Sequence, residues 1–138
     1  MNYKIIGKYI KDLNFCIPNP KIFFSLSKDI SNYKINIDIK SNQVNQNIIE
    51  VLTSLNLKPI KENFEKIDTK IVYSTVIELL NEKIEKQEME RIILVDVPSQ
   101  IYSELRKIFV SLFENSGFKD IKINKEVDFK KLYNSKIN

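Results

Sequence analysis

The chain has 138 residues, a net charge of +4 and a pI near 9.0, with 43% hydrophobic and 29% charged residues. That is the size and composition of one globular domain, not of a disordered segment. It holds no histidine, one cysteine (Cys16) and two glycines (Gly7 and Gly117). Cys/His zinc sites, Ser-His-Asp or Cys-His catalysis, disulfide frameworks and glycine-rich phosphate loops are therefore excluded. No apolar run nears the roughly 20 residues of a membrane span. The expectation is a cytoplasmic protein with no membrane insertion, metal or cofactor, and no enzymatic activity. Isoleucine (23), lysine (20) and asparagine (15) dominate and alanine is absent. All three suit AT-rich codons, so the lysines weigh less as a nucleic-acid signal than the pI implies.

Ile5 to Phe15 reads as a strand with a rough pattern. Pro18-Asn19-Pro20 reads as a stiff extended break, since proline fixes φ and biases its predecessor away from helix. Lys34 to Lys40 alternates cleanly: Ile35, Ile37 and Ile39 take one face, and Lys34, Asn36, Asp38 and Lys40 the other. That is a half-buried strand of an antiparallel sheet. Asn45 to Lys58 repeats the pattern, with Ile49, Val51, Thr53, Leu55 and Leu57 on one face. Phe64 to Leu80 does so again through Ile67, Thr69, Ile71, Tyr73, Thr75 and Ile77. Ser41-Asn42-Gln43 and Lys61-Glu62-Asn63 read as turns. Short links favour a meander with consecutive strands adjacent.

The period then changes. Glu82 to Arg91 reads as helix, whereas Ile92-Ile93-Leu94-Val95 has the propensity of a buried strand, so residues 84–97 stay open between the two. After Pro98, placed like a first-turn proline, Ile101, Leu105, Ile108, Phe109, Leu112 and Phe113 trace one helical face that Gly117 ends. A short helix is expected near Phe129–Tyr133. The predicted fold is α+β: a four-stranded antiparallel sheet, meander or Greek key, with a long C-terminal amphipathic helix and one or two shorter helices on one face. One domain is expected over 1–138, with its core at about 4–134.

Catalytic chemistry is nearly absent from the pattern. Glu82, Glu85, Glu88 and Glu90 sit among Lys83, Lys86 and Arg91, as on a solvated helix surface. Phe23-Phe24 and Tyr33, with Lys21, Lys28 and Lys34 nearby, could form a stacking platform for nucleic acid; paired phenylalanines more often pack, and a small basic nucleic-acid-binding module stands only as an alternative. The apolar surplus says more. Leu52, Val72 and Val76 oppose the main apolar faces, and one helical layer covers one sheet face, so the remainder calls for a partner or for oligomerisation.

Six segments follow one another along the chain: Tyr9-Ile10-Lys11-Asp12-Leu13-Asn14-Phe15, then Pro18-Asn19-Pro20, Ile49-Glu50-Val51-Leu52, Val97-Pro98 before the amphipathic helix, Gly117-Phe118, and Val127-Asp128-Phe129-Lys130-Lys131-Leu132-Tyr133. In this order they resemble the SecB family of protein-export chaperones, and the likeness is the co-linear set as a whole. It runs co-linearly from about residue 4 to residue 134. The resemblance implies an ATP-independent holdase that keeps unfolded preproteins export-competent for the motor ATPase SecA, and a homotetramer built as a dimer of dimers. Candidate groove residues are Phe15, Ile17, Phe23, Phe24, Leu52, Val72, Val76 and Ile77. Candidate oligomer contacts are Ile101, Leu105, Ile108, Phe109 and Leu112. Asp12 matches one acidic SecA-contact position; Cys16 and Lys70 stand where further acids are common, and the sequence ends at Asn138 without an acidic tail, which implies weakened SecA docking. A chaperone dedicated to one client, such as an antitoxin, is the alternative within the same fold.

Overall fold

The computed structural model describes residues 2–61, 64, 67–119, 121 and 123–137. Four strands, β1 (Tyr3–Cys16), β2 (Tyr33–Gln43), β3 (Ile48–Pro59) and β4 (Asp68–Leu79), form one antiparallel sheet in the order β1-β4-β3-β2. β2, β3 and β4 make the expected meander, but β1 lies beside β4, so the simple four-strand meander gives way to a Greek-key arrangement. The reason is the link between β1 and β2. It is long enough to carry a helix, α1 (Pro20–Asp29), across the end of the sheet.

Pro18-Asn19-Pro20 predicts an extended break, and the structure places a helix there instead. Asn19 is indeed extended, as a residue before proline must be. Its side chain, however, accepts from the Ile22 N–H at 2.9 Å and Pro20 occupies the first turn, so the same residues cap and open a helix. The expected turn at Lys61-Glu62-Asn63 falls largely outside the described residues.

The ambiguous stretch 84–97 resolves as helix. α2 (Lys86–Arg91) runs through a π-helical turn (Ile92–Asp96) into α3 (Val97–Asn115), giving one helix of 30 residues. Pro98 is therefore not where the helix begins. A proline inside a helix has no N–H to give, and its ring crowds the carbonyl four residues back. The wider turn lies immediately before it. At the far end Gly117 takes φ 92°, the Phe118 N–H reaches Phe113 O at 3.0 Å, and the Gly117 N–H reaches Glu114 O at 3.1 Å. This is a Schellman ending, with Phe118 and Phe113 in ring contact at 5.8 Å. A Cβ on Gly117 would stand 3.3 Å from the Phe23 ring. α4 (Phe129–Ile137) follows, as expected near Phe129.

The core lies between the helices and the inner face of the sheet. Val51, Leu55, Ile71 and Ile77 meet Val97, Ile101, Leu105, Phe109 and Phe113, all essentially solvent-free. The odd-numbered face read from β3 and β4 is the buried one.

Candidate functional site

β1 is one of the two sheet edges, and exposed apolar side chains cluster along it. Two register shifts interrupt its pairing with β4, between Ile5 and Gly7 and between Ile10 and Asp12. Ile6 and Lys11 are the extra residues, so these are β-bulges. Each shift inverts the parity of the side chains. Lys8 and Ile10 lie on the inner face opposite Thr75 and Tyr73, while Tyr9 lies on the outer face opposite Ser74. Beyond the second shift Leu13 and Phe15 are inner again, opposite Ile71 and Thr69. Ile6, Ile10 and Leu13 are 48%, 44% and 43% exposed. An edge strand of 14 residues with such side chains offers both unpaired backbone groups and apolar contact to another chain.

A second apolar feature closes the end of the sheet. Phe15 meets Phe113 edge-on at 4.9 Å, Phe113 meets Phe118 at 5.8 Å, Phe118 meets Phe23 at 4.9 Å, and Phe23 meets Phe24 at 5.4 Å. This ring chain begins in the core and ends at Phe24, which is 69% exposed. Ile17 lies half-buried at the same end. Phe23 and the buried Tyr33 are engaged in packing, so no aromatic stacking platform forms from Phe23, Phe24 and Tyr33 together.

The other groove candidates do not join this end. Leu52, Val72 and Val76 are half-buried on the outer face, opposite Ser74, Ser54 and Glu50. Ile77 points the other way and is fully buried in the core, which removes it from any surface groove. The same correction applies to the helix. Ile101, Leu105 and Phe109 are consumed by the chain's own core, because the apolar stripe of an amphipathic helix serves the sheet beneath it first. Only Ile108 and Leu112, half-buried at the margin of that stripe, remain accessible. Ile6, Ile10 and Leu13 are what the sequence reading missed. Their signal is hidden because two bulges scramble the alternation.

The outer face centres on Glu50, which is only 8% exposed. Lys11 Nζ donates to Oε1 at 2.9 Å, the Tyr9 hydroxyl to Oε2 at 2.8 Å, the Ser74 hydroxyl to Oε2 at 2.7 Å, and Asn42 Nδ2 to Oε1 at 3.4 Å. One carboxylate thus ties all four strands. The Lys11 hydrogen bond, then that of Ser74, holds its pKa down to about 2 against the opposing effect of burial. The bond to Glu50 likewise raises the Lys11 pKa. On the inner side Lys8 Nζ donates to Glu104 Oε1 of α3 at 2.7 Å, and the Tyr73 hydroxyl donates to Oε2 at 3.3 Å. Lys8 lowers the Glu104 pKa, and Glu104 raises that of Lys8.

By register, and for the bulge residue Lys11 by its bond to Glu50, the outer face carries Lys4, Lys11, Lys34, Lys40, Lys58 and Lys70 against Asp12, Asp38, Glu50, Asp68 and Glu78. Six cations against five anions make it near-neutral, not acidic. Lys4 pairs with Glu78 at 3.2 Å and Lys11 with Glu50. Asp12, Cys16 and Lys70 are all exposed there, with Cys16 a free thiol. Among the described residues no helix is long and apolar enough to cross a membrane.

The sequence model of the family described as preprotein translocase subunit SecB matches residues 1–138. A putative protein-export protein SecB from Pelagibacter ubique is 41% identical over 137 residues, covering 99% of this chain and 98% of that one. The protein-export protein SecB of Anaplasma phagocytophilum is 25% identical, covering 97% and 92%. Among solved structures, a SecB-like chaperone of Mycobacterium tuberculosis in complex with a peptide from an antitoxin superposes with a TM-score of 0.65 at 10% identity, covering 91% of this chain and 88% of that one.

Proposed function

The chain belongs to the SecB family, and from that premise we propose that it is a cytoplasmic, ATP-independent holdase that keeps unfolded preproteins competent for export. The observation that carries this reading is the uncovered apolar surface: the Ile6, Ile10 and Leu13 edge of β1, and the ring chain that emerges at Phe24. A holdase needs such surface and no reaction centre. It works by binding the unfolded chain in preference to the folded one. An extended client or a second copy can add to the β1 edge through its backbone, with alternate side chains against the exposed isoleucines. Phe15, Ile17, Phe23 and Phe24 form one client contact in this reading; Leu52, Val72 and Val76 form a separate one on the outer face.

Assembly as a tetramer, a dimer of dimers, would place Ile108 and Leu112 of α3 at a contact between copies. SecA docking would use the outer face through Asp12. With Cys16 and Lys70 in place of acids and Glu50 neutralised by Lys11, that docking is expected to be weak. The relatives named for protein export are far more similar to this chain than the antitoxin-bound neighbour, and this favours the export role over a single dedicated client.

Light scattering with a reduced, unfolded polypeptide tests the proposal. A native mass near four chains that takes up the unfolded client, but not the same client folded, is the expected result. A monomer that ignores unfolded chains overturns it.

A further inference from the structure

The middle of β1 has a problem that the rest of the sheet does not. Between its two bulges the side-chain parity is inverted relative to the flanks. A one-residue slip would restore plain alternation there, since register in a strand is soft unless side chains specify it. The segment's apolar residues cannot specify it, because Ile10 is nearly half exposed. What distinguishes the faces is charge. Lys8 bonds a carboxylate on the inner side, at Glu104, and Lys11 and Tyr9 bond one on the outer side, at Glu50.

We propose that Glu50 and Glu104 are positioning residues that clamp the segment Gly7–Asp12 from opposite faces and so fix the doubly bulged register of the β1 edge. In the slipped register Tyr9 would turn to the inner face and Lys8 to the outer, each away from its carboxylate. Glu50 is well suited to choosing between such alternatives, because a buried ion short of its donors is costly whatever its net stabilisation; Glu104 is exposed, and its pair with Lys8 adds a smaller preference. The clamp also decides what the edge displays. With Tyr9 drawn outward to Glu50, Ile10 is the residue presented on the inner side, in line with Leu13. The use of this edge for assembly or clients rests on the proposed function above; the register itself does not.

Amide hydrogen exchange, resolved by residue on the full chain, separates the two. In Glu50→Gln, exchange across Gly7–Asp12 is expected to rise about tenfold, the equilibrium equivalent of one lost charge-assisted bond; in Glu104→Gln, which breaks an exposed pair, the rise is about two- to threefold. Tyr3–Ile5 and Leu13–Cys16 should stay near wild type. Lys11→Met and Tyr9→Phe provide the same readout should Glu50→Gln not fold, and Glu50→Asp should restore part of the protection. A rise spread evenly over the sheet, or none at all, overturns the clamp. If the clamp holds, client uptake by light scattering should weaken in the same variants. Loss of protection with unchanged uptake would leave the register role standing and remove the edge from the client surface.

Discussion

The sheet has two edges, and they are finished in opposite ways. β2 pairs with β3 over eleven consecutive positions without a shift, from Tyr33 opposite Pro59 to Gln43 opposite Ile49. Its inner isoleucines are partly buried, and Ile37 and Ile39 share a small cavity of about 70 Å³ with Leu94, Phe129, Leu132 and Tyr133 of the helical layer. Its outer row is Lys34, Asn36, Asp38 and Lys40, the kind of charged edge that discourages pairing. β1 is longer, twice bulged, and leaves Ile6, Ile10 and Leu13 in solvent. One edge is covered by the chain itself. The other is shaped by ionic contacts and left uncovered, which is the finish that the proposed binding of other chains requires.

Breaking the covered edge should cost the fold. Phe129 is 2% exposed and packs on Tyr102. Phe129→Ala is expected to destabilise by about 3–5 kcal/mol, read as a lower denaturant midpoint. A loss below about 1 kcal/mol would mean that α4 does not hold the β2 side.

Acid should act on the open edge. Glu50 has a folded pKa of about 2 against an ordinary 4.5, so its stabilisation is present above pH 4.5 and fades as the pH falls toward 2. The gap between wild type and Glu50→Gln in urea unfolding should accordingly be widest at neutral pH and close over that window. A gap independent of pH would show that the carboxylate's charge is irrelevant.

Ile10→Lys and Leu13→Lys should change stability by about 1 kcal/mol or less yet reduce assembly or client uptake, the reverse of Phe129→Ala. Smallest of all in stability is Phe24→Ser, within about 0.5 kcal/mol for a side chain this exposed; isothermal titration with an unfolded client should nevertheless show weaker binding. If both edges behaved alike in these assays, the distinction between them would fall.

The same contrast explains what could be read from the residues alone. Lys34 to Lys40 was legible because an unbulged strand half-covered by helices enforces period 2. Ile5 to Phe15 looked rough because Ile6 and Lys11 each reset the phase. α1 was hidden because Asn-Pro serves both a break and a cap, and only the following Ile22, Phe23 and Leu26 distinguish the two. Ile92 to Val95 was ambiguous because a buried helix and a buried strand are both simply apolar there. Of the candidate site, Phe15, Ile17, Phe23 and Phe24 are gathered at one end of the sheet, as a single contact surface requires. The site was not legible at Ile77, Ile101, Leu105 and Phe109, since an apolar stripe does not say whether its own chain or another will cover it.

The π-helical turn before Pro98 spans Ile92–Asp96. A π turn is an α-helix holding one surplus residue, and Arg91 and Asp96, five apart, approach across it to 3.9 Å. Removing a single residue from Ile93–Val95 would let the turn relax to ordinary α-helix while Ile92 before it and Val97 after it kept their places against the sheet. This is therefore a position where the chain can shorten by one without shifting either half of the helix, and related sequences should differ in length here more readily than at any other point along it.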